Sequence, residues 1–240
     1  MAGIVTARPG APIASPGDVD GGWQWMYDRR RCGSLPCRTG WYGRPMSAAR
    51  DRWLDEGLRV LAEEGAAGLR IDRVAARIGL SKGSFHHHFD GAEAYQHAVL
   101  ECFERLCIDA LNDAIAGQGE AGADLAPREI LARLTALIQP HDGGLYRPRL
   151  EVAVRAWATT DAEARTVQAR VDEARVRALQ NVWRPLVDSD DRAHAAALLP
   201  YLVAVGGAMA MPPIDAEELK GLFELLLPLV PDAPGSAPRG

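Results

Sequence analysis

Three consecutive histidines, His86-His87-His88, follow Ser81-Lys82-Gly83-Ser84 and lie between Phe85 and Phe89. Imidazole nitrogens can donate to a phosphate or meet a base edge, and the Lys82 ammonium is a compact cation. The hydroxyls of Ser81 and Ser84 and a helix N-terminus add phosphate-binding donors. Gly83 has no side chain and lets another backbone approach closely. A metal site is the competing chemistry for the histidines. Neighbouring positions on a helix point about 100° apart and cannot converge on one ion, so no metal is expected there. Cys102 and Cys107 are five residues apart, about 140° around a helix, and cannot ligate together either. There is no nucleophile elbow, phosphate loop or ligand-spaced metal pair. A helical enzyme pairing one of these cysteines with a histidine therefore has only residue types in its favour. The expectation is a protein that is not an enzyme and carries no cofactor.

The elements that must position these groups are visible on either side. Ile71, Val74, Ala75 and Ile78 share one face of two helical turns, and Gly79 breaks that helix. Ser81 is a strong N-cap for a second short helix running to Phe89. Helix, glycine-containing turn, helix, with the small Ala75 where the two nearly touch, is the helix-turn-helix pattern. Its second helix enters a DNA major groove N-terminal end first. Upstream, from Ser47, Leu54, Leu58 and Leu61 form an apolar stripe with Trp53 and Val60 beside it, and Gly65 and Gly68 end the helix. On this reading Arg50, Arg70 and Lys82 contact phosphates, and Ser84, His86 and His87 read the groove. Ser81, Gly83 and His88 complete the DNA-binding set, while Phe85 and Phe89 anchor the second helix to the core.

Composition narrows the mode of binding. The 240 residues are 48% hydrophobic and 25% charged, with a formal net charge of −5, so bulk attraction to nucleic acid is excluded. Residues 46–95 carry seven basic and eight acidic side chains. Binding must rest on a few placed groups, in two copies. Four cysteines are too few for a disulfide scaffold and suit a reducing, cytoplasmic setting. Residues 1–45, rich in Gly and Pro and without apolar periodicity, read as a disordered N-terminal extension; residues 231–240 read as a flexible tail. The uncharged run from Ala195 to Met211 is short, Ala/Gly-rich and interrupted by Pro200, which argues against a membrane span.

The stretch Ile71 to Phe89, IDRVAARIGLSKGSFHHHF, resembles the N-terminal domain of the tetracycline-repressor (TetR) family of bacterial transcription regulators. The likeness covers residues 48–100, with helix one at the expected distance upstream. Three positions depart from the family's habit. His86 replaces a Tyr that touches phosphate and groove, Ala92 replaces a Lys at the start of helix four, and Arg70 replaces a Thr or Ser cap of helix two.

Everything after Ala92 reads as helix, with Pro127 opening one helix. The segment Leu150 to Leu179 resembles a stretch common in the family's C-terminal domain. The resemblance implies an all-α fold: an N-terminal three-helix helix-turn-helix DNA-binding domain (46–95) and a larger C-terminal helical ligand-binding and dimerisation domain (96–230). It implies a homodimer through the two C-terminal helices, about 191–211 and 216–229. Ala195 to Leu199, Val203, Gly206 and Gly207 are candidates on the first, and Leu222, Leu225, Leu226 and Leu229 on the second. It also implies an unidentified small-molecule effector. Phe103, Leu106, Leu134, Ile138, Val154, Trp157 and Trp183 are candidate walls of an apolar pocket, with His141, Asp142 and Tyr146 as candidate polar determinants. The function expected is a ligand-released repressor on a near-palindromic double-stranded DNA operator. The alternatives are the Cys/His enzyme, or a DNA-binding dimer with no effector.

Overall fold

Apolar residues recur at three- and four-residue spacings, and that pattern buries as helix. The structure, a computed structural model, describes residues 48–116, 126–138 and 146–231; among these are nine α-helices, short 3-10 turns and no strand. The expected extension (1–45), all but the first residue of the tail, Cys32, Cys37, His141 and Asp142 lie outside the described residues.

α1 (Ala48–Glu64) ends at Gly65, whose φ of 72° is open to glycine without strain. α2 (Ile71–Ile78) ends at Gly79 in the left-handed conformation, φ 64°. α3 (Lys82–His88) opens where the Ser81 hydroxyl oxygen accepts the Ser84 N–H at 3.2 Å, the expected N-cap. α2 has no such side-chain cap, because Arg70 stands at its N-cap position.

α4 (Ala92–Ala116) is a single helix, so the boundary expected at 95/96 falls inside an unbroken rod. α5 (Pro127–Ala136) starts at Pro127, where a missing N–H costs nothing. α6 (Pro148–Ala158), α7 (Ala162–Trp183), α8 (Asp190–Met209) and α9 (Ala216–Leu226) complete the set. Asp161, Ser189 and Asp215 each cap their helix by accepting a backbone N–H, from Ala164 (2.8 Å), Arg192 (3.3 Å) and Glu218 (2.9 Å). α8 continues through Pro200, which the sequence marks as an interruption.

α7 is the hub of the C-terminal part, packed against α4, α6 and α8, while α1 packs on α2, α3, α4 and α6. The described residues thus belong to one compact unit, 47–240. No described helix is long and apolar enough to cross a membrane.

Candidate nucleic-acid interface and the cavity behind it

The second helix of the motif is held by aromatic packing. Phe85 is fully buried, with ring centroids 5.2 Å from Trp53, 5.2 Å from Phe89 and 5.5 Å from Tyr95; Phe89 and Tyr95 lie 5.0 Å apart. Most of these pairs meet edge to face, the geometry that aromatic quadrupoles favour. The Tyr95 hydroxyl donates to the Trp53 carbonyl at 2.7 Å, which ties the first turn of α4 to α1. Burial pushes the Tyr95 phenol far above its ordinary value, so it stays a neutral donor. The expectation that Phe85 and Phe89 are core anchors matches their placement. The part played by Tyr95 was not visible in periodicity, because it needs the α1–α4 contact.

Charge fixes α2 against α1. Arg77 on α2 meets Glu56 at 2.6 Å, Glu63 at 2.6 Å and Glu64 at 3.2 Å, and Glu56 is buried. Arg73 also pairs with Glu64. Arg52 donates to the Ile78 carbonyl at 2.5 Å, satisfying one of the orphan acceptors at the end of α2.

This scaffold leaves one side of α3 open. Lys82, Gly83, His86 and His87 are exposed, Ser84 and His88 are half-buried, and Ser81 is exposed while it caps the helix. The Arg50 guanidinium lies 5.0 Å over the Phe89 ring, beside the end of α3. Arg70 is exposed, 3.3 Å from Asp72. Burial, then the neighbouring His87 and Arg50, hold the His88 imidazole below its ordinary value. Among the described residues no three His, Cys, Asp or Glu side chains gather as a metal set.

From Phe103, eight residues beyond Tyr95, α4 borders a cavity of about 280 Å³ in the C-terminal part. Of the seven candidate pocket residues, Phe103, Leu106, Leu134, Ile138 and Trp183 line it. Val154 and Trp157 do not. They stand one and two turns beyond Leu150 on α6, past the cavity, where α6 packs against α1 and α7. Tyr146 lines the cavity and donates to the Ile214 carbonyl at 3.0 Å. Glu151 and Arg175, absent from the sequence-based candidates, also line it and meet at 2.5 Å. They are 24 positions apart on different helices, a pairing no spacing rule reveals. Cys107 borders the cavity too; burial pushes its thiol up to about 12, which leaves it a poor nucleophile.

The outer face of α8 and α9 is apolar and open. Ala195, Leu199, Leu202, Gly206 and Met209 follow at alternating four- and three-residue spacings on α8, all exposed, with Leu222 and Leu225 exposed on α9 and Met211 between the helices. Part of the expected small-residue surface points the other way. Ala197 and Gly207 are buried within the protomer, and a Cβ on Gly207 would lie 3.3 Å from the Tyr146 hydroxyl. Val203 packs toward Ile138 and Leu219, and Leu226 lines the cavity. Counting small residues favoured Ala197 and Gly207. The helical phase of Leu199, Leu202 and Met209 was the better signal.

The described residues thus form a helix-turn-helix head with its second helix open to solvent, carried on a cavity-bearing helical body. Comparison with known proteins agrees. Residues 54–94 match the family described as bacterial regulatory proteins, tetR family. The biofilm operon icaADBC HTH-type negative transcriptional regulator IcaR of Staphylococcus aureus is 27% identical over 66 residues, 28% of this chain and 33% of that protein. The match thus spans about a third of the curated relative. Solved structures extend the likeness in fold. The reduced form of NemR from E. coli superposes with a TM-score of 0.61 at 18% identity, over 78% of this chain and 99% of its own. A TetR-family transcriptional regulator from Streptomyces coelicolor gives 0.59 at 22% identity, over 77% of this chain and 90% of its own. Residues 54–94 thus resemble the tetR family of bacterial regulatory proteins, and the chain shares the fold of solved TetR-family regulators. IcaR and the Streptomyces coelicolor protein are both regulators of transcription.

Proposed function

We propose that the protein is a ligand-released repressor that binds a near-palindromic operator as a homodimer. Residues 46–95 are the DNA-binding head and 96–230 the effector-binding and dimerisation body. The observation that carries this reading is α4, one helix with Tyr95 in the head core and Phe103, Leu106 and Cys107 at the cavity wall. Tyr95 and Cys107 are about 18 Å apart along it. A ligand that tilts the cavity end of α4 therefore moves the head, and the operator affinity falls by linkage.

In the head, Arg50, Arg70 and Lys82 hold phosphates, Ser84, His86 and His87 read the groove, and Ser81, Gly83 and His88 complete the DNA-binding set. Two heads about 34–36 Å apart place their second helices in successive major grooves. The exposed apolar stripe of α8 with Leu222 and Leu225 of α9 supports a four-helix dimer interface with a second copy.

The test is a fluorescence-anisotropy titration of the full chain on the DNA flanking its own gene. Sequence-specific binding is expected, with a steep salt dependence that Lys82→Ala flattens by about one phosphate contact per head. Binding that ignores sequence, or is indifferent to Lys82→Ala, overturns the reading.

A further inference from the structure

We infer that the cavity takes a hydrocarbon-tailed monocarboxylate, with its carboxylate against Arg175 and its tail toward Leu179 and Trp183. This rests on the reading of the cavity as the effector site and names the chemistry of that effector. The wall changes character along α7. Arg175, Leu179 and Trp183 follow at four-residue spacings on one helix face, and all three line the cavity. Leu179 belongs to the same apolar cluster as Leu131, Leu134 and Val230, with Trp183 packed against it, so that end of the wall is hydrocarbon. At about 30 Å³ for each water-sized group, a cavity of about 280 Å³ holds roughly nine non-hydrogen atoms, a carboxylate on a tail of about six or seven carbons.

The other end carries the charge. The charged groups of the described wall are Arg147, Glu151 and Arg175, two positive and one negative. Arg175 Nη2 donates to Glu151 Oε1 at 2.5 Å, and Arg147 and Arg175 both oppose the rise that burial gives the Cys107 thiol. Behind the wall, Arg155 donates to both oxygens of Asp172 at 2.8 and 2.9 Å, a pair that adds no net charge. Glu151 Oε2 lies 3.6 Å from Arg155 Nη2, so both oxygens of Glu151 are held by arginines. That leaves no acceptor for an ammonium group.

Arg175 has donors to spare. A guanidinium carries several N–H groups, and among the described residues Glu151 is the one hydrogen-bond partner of Arg175. Its side chain keeps 18% of its surface accessible while it lines the cavity. Such a group can only donate, so it selects an acceptor, and a charged acceptor makes the stronger bond. α6 adds to the same field. Its N-cap residue Arg147 and first-turn Glu151 line the cavity and no side chain caps it, so the positive end of its dipole lies at the charged end. Desolvating a carboxylate is costly, and these are the groups that offset the cost.

The experiment is calorimetric titration of the full chain with octanoate, octan-1-ol and octylammonium, with operator anisotropy measured alongside. Octanoate is expected to bind about tenfold more tightly than either of the others. In a merely apolar cavity the desolvated carboxylate would lose, and octan-1-ol would bind best. Two variants test the charged end, with octan-1-ol binding as the sign that each is folded. Arg175→Lys keeps a cation opposite Glu151 but loses the forked donors, and should weaken octanoate about fivefold. Glu151→Gln keeps an acceptor for Arg175 and removes the negative charge, and should tighten octanoate about threefold. A purely structural pair would not shift octanoate and octan-1-ol apart in opposite directions in the two variants. Octan-1-ol or octylammonium binding as tightly as octanoate, or octanoate no tighter in Glu151→Gln, overturns the inference. If none of the three binds while the operator complex forms, this inference falls and the regulator reading stands. If octanoate binds as expected but leaves operator affinity unchanged, ligand release falls and the cavity chemistry stands.

Discussion

The head and the body are both helical and both buried, yet they are packed to different ends. In the head, Trp53, Phe85 and Tyr95 are fully enclosed, with ring edges against ring faces, and the Tyr95 hydroxyl is spent on a backbone carbonyl. In the body, the same kinds of side chain stand around about 280 Å³ of space. A close-packed core resists deformation, because small displacements forfeit much of the dispersion contact. A cavity can change shape at lower cost. The comparison points to a division of labour that suits the function proposed above: a closely packed head to present α3, and a body with room to change shape.

The largest expected effect attacks the rigid half. Trp53→Ala removes the ring on which Phe85 and Tyr95 pack, and about 3–5 kcal/mol of stability should go with it. Chemical denaturation of the full chain should show the head unfolding at lower denaturant than the body. One transition with an unchanged midpoint would contradict a separate, tightly packed head core. Gly57→Ala tests closeness of packing rather than loss of contact. A Cβ there would lie 2.5 Å from the Tyr95 hydroxyl and 2.7 Å from Val99 Cγ2. Tyr95 is enclosed and hydrogen-bonded, so it cannot swing aside cheaply. Overpacking should cost about 1–3 kcal/mol, although alanine is the better helix former. A more stable Gly57→Ala protein would mean that α1 and α4 separate easily.

These two residues also show how far the sequence could be read. Ile71 to Phe89 was legible because everything that shapes it is local: a period of 3.6, Gly79 at a positive φ and Ser81 as cap. Gly57 was not, since a glycine amid α1 reads only as a helix weakness until Tyr95 and Val99 arrive from α4. The cavity divides the same way. Periodicity identified Phe103, Leu134 and Trp183 as inward-facing, but it could not separate a wall from packing, so Val154 was grouped with them. Glu151 and Arg175 meet only through the tertiary fold. On α8 the helical phase was in the sequence; the side that the protomer itself covers was not.

A smaller effect sharpens the contrast from the body's side. Leu134→Phe adds bulk next to open space, whereas Leu61→Phe adds it to a closed core. The first should change stability by less than about 1 kcal/mol and the second should cost about 1–3 kcal/mol. Equal costs at the two positions would remove the distinction between the halves.

The smallest effect is a pH dependence confined to the head. His88 sits at the end of α3, where burial, then the neighbouring His87 and Arg50, favour its neutral form and hold it below the ordinary imidazole value of 6.5. The unfolded chain therefore takes up this proton first as pH falls. Between 6.5 and the lower folded value the unfolded state binds more protons, so stability rises with pH across that window and is lost on acidification. The contribution is complete above the window and gone below it. The informative quantity is a difference between two proteins. The thermal midpoint of the head, followed by tryptophan fluorescence from pH 7.5 to 5.5, should fall more in the parent protein than in His88→Gln. Gln keeps a polar side chain that cannot be charged, beside the same Arg50 and Phe89. Parallel curves for the two proteins would mean that His88 is as free to be charged in the folded head as in the unfolded chain, and that the tight packing of the head stops short of the end of α3.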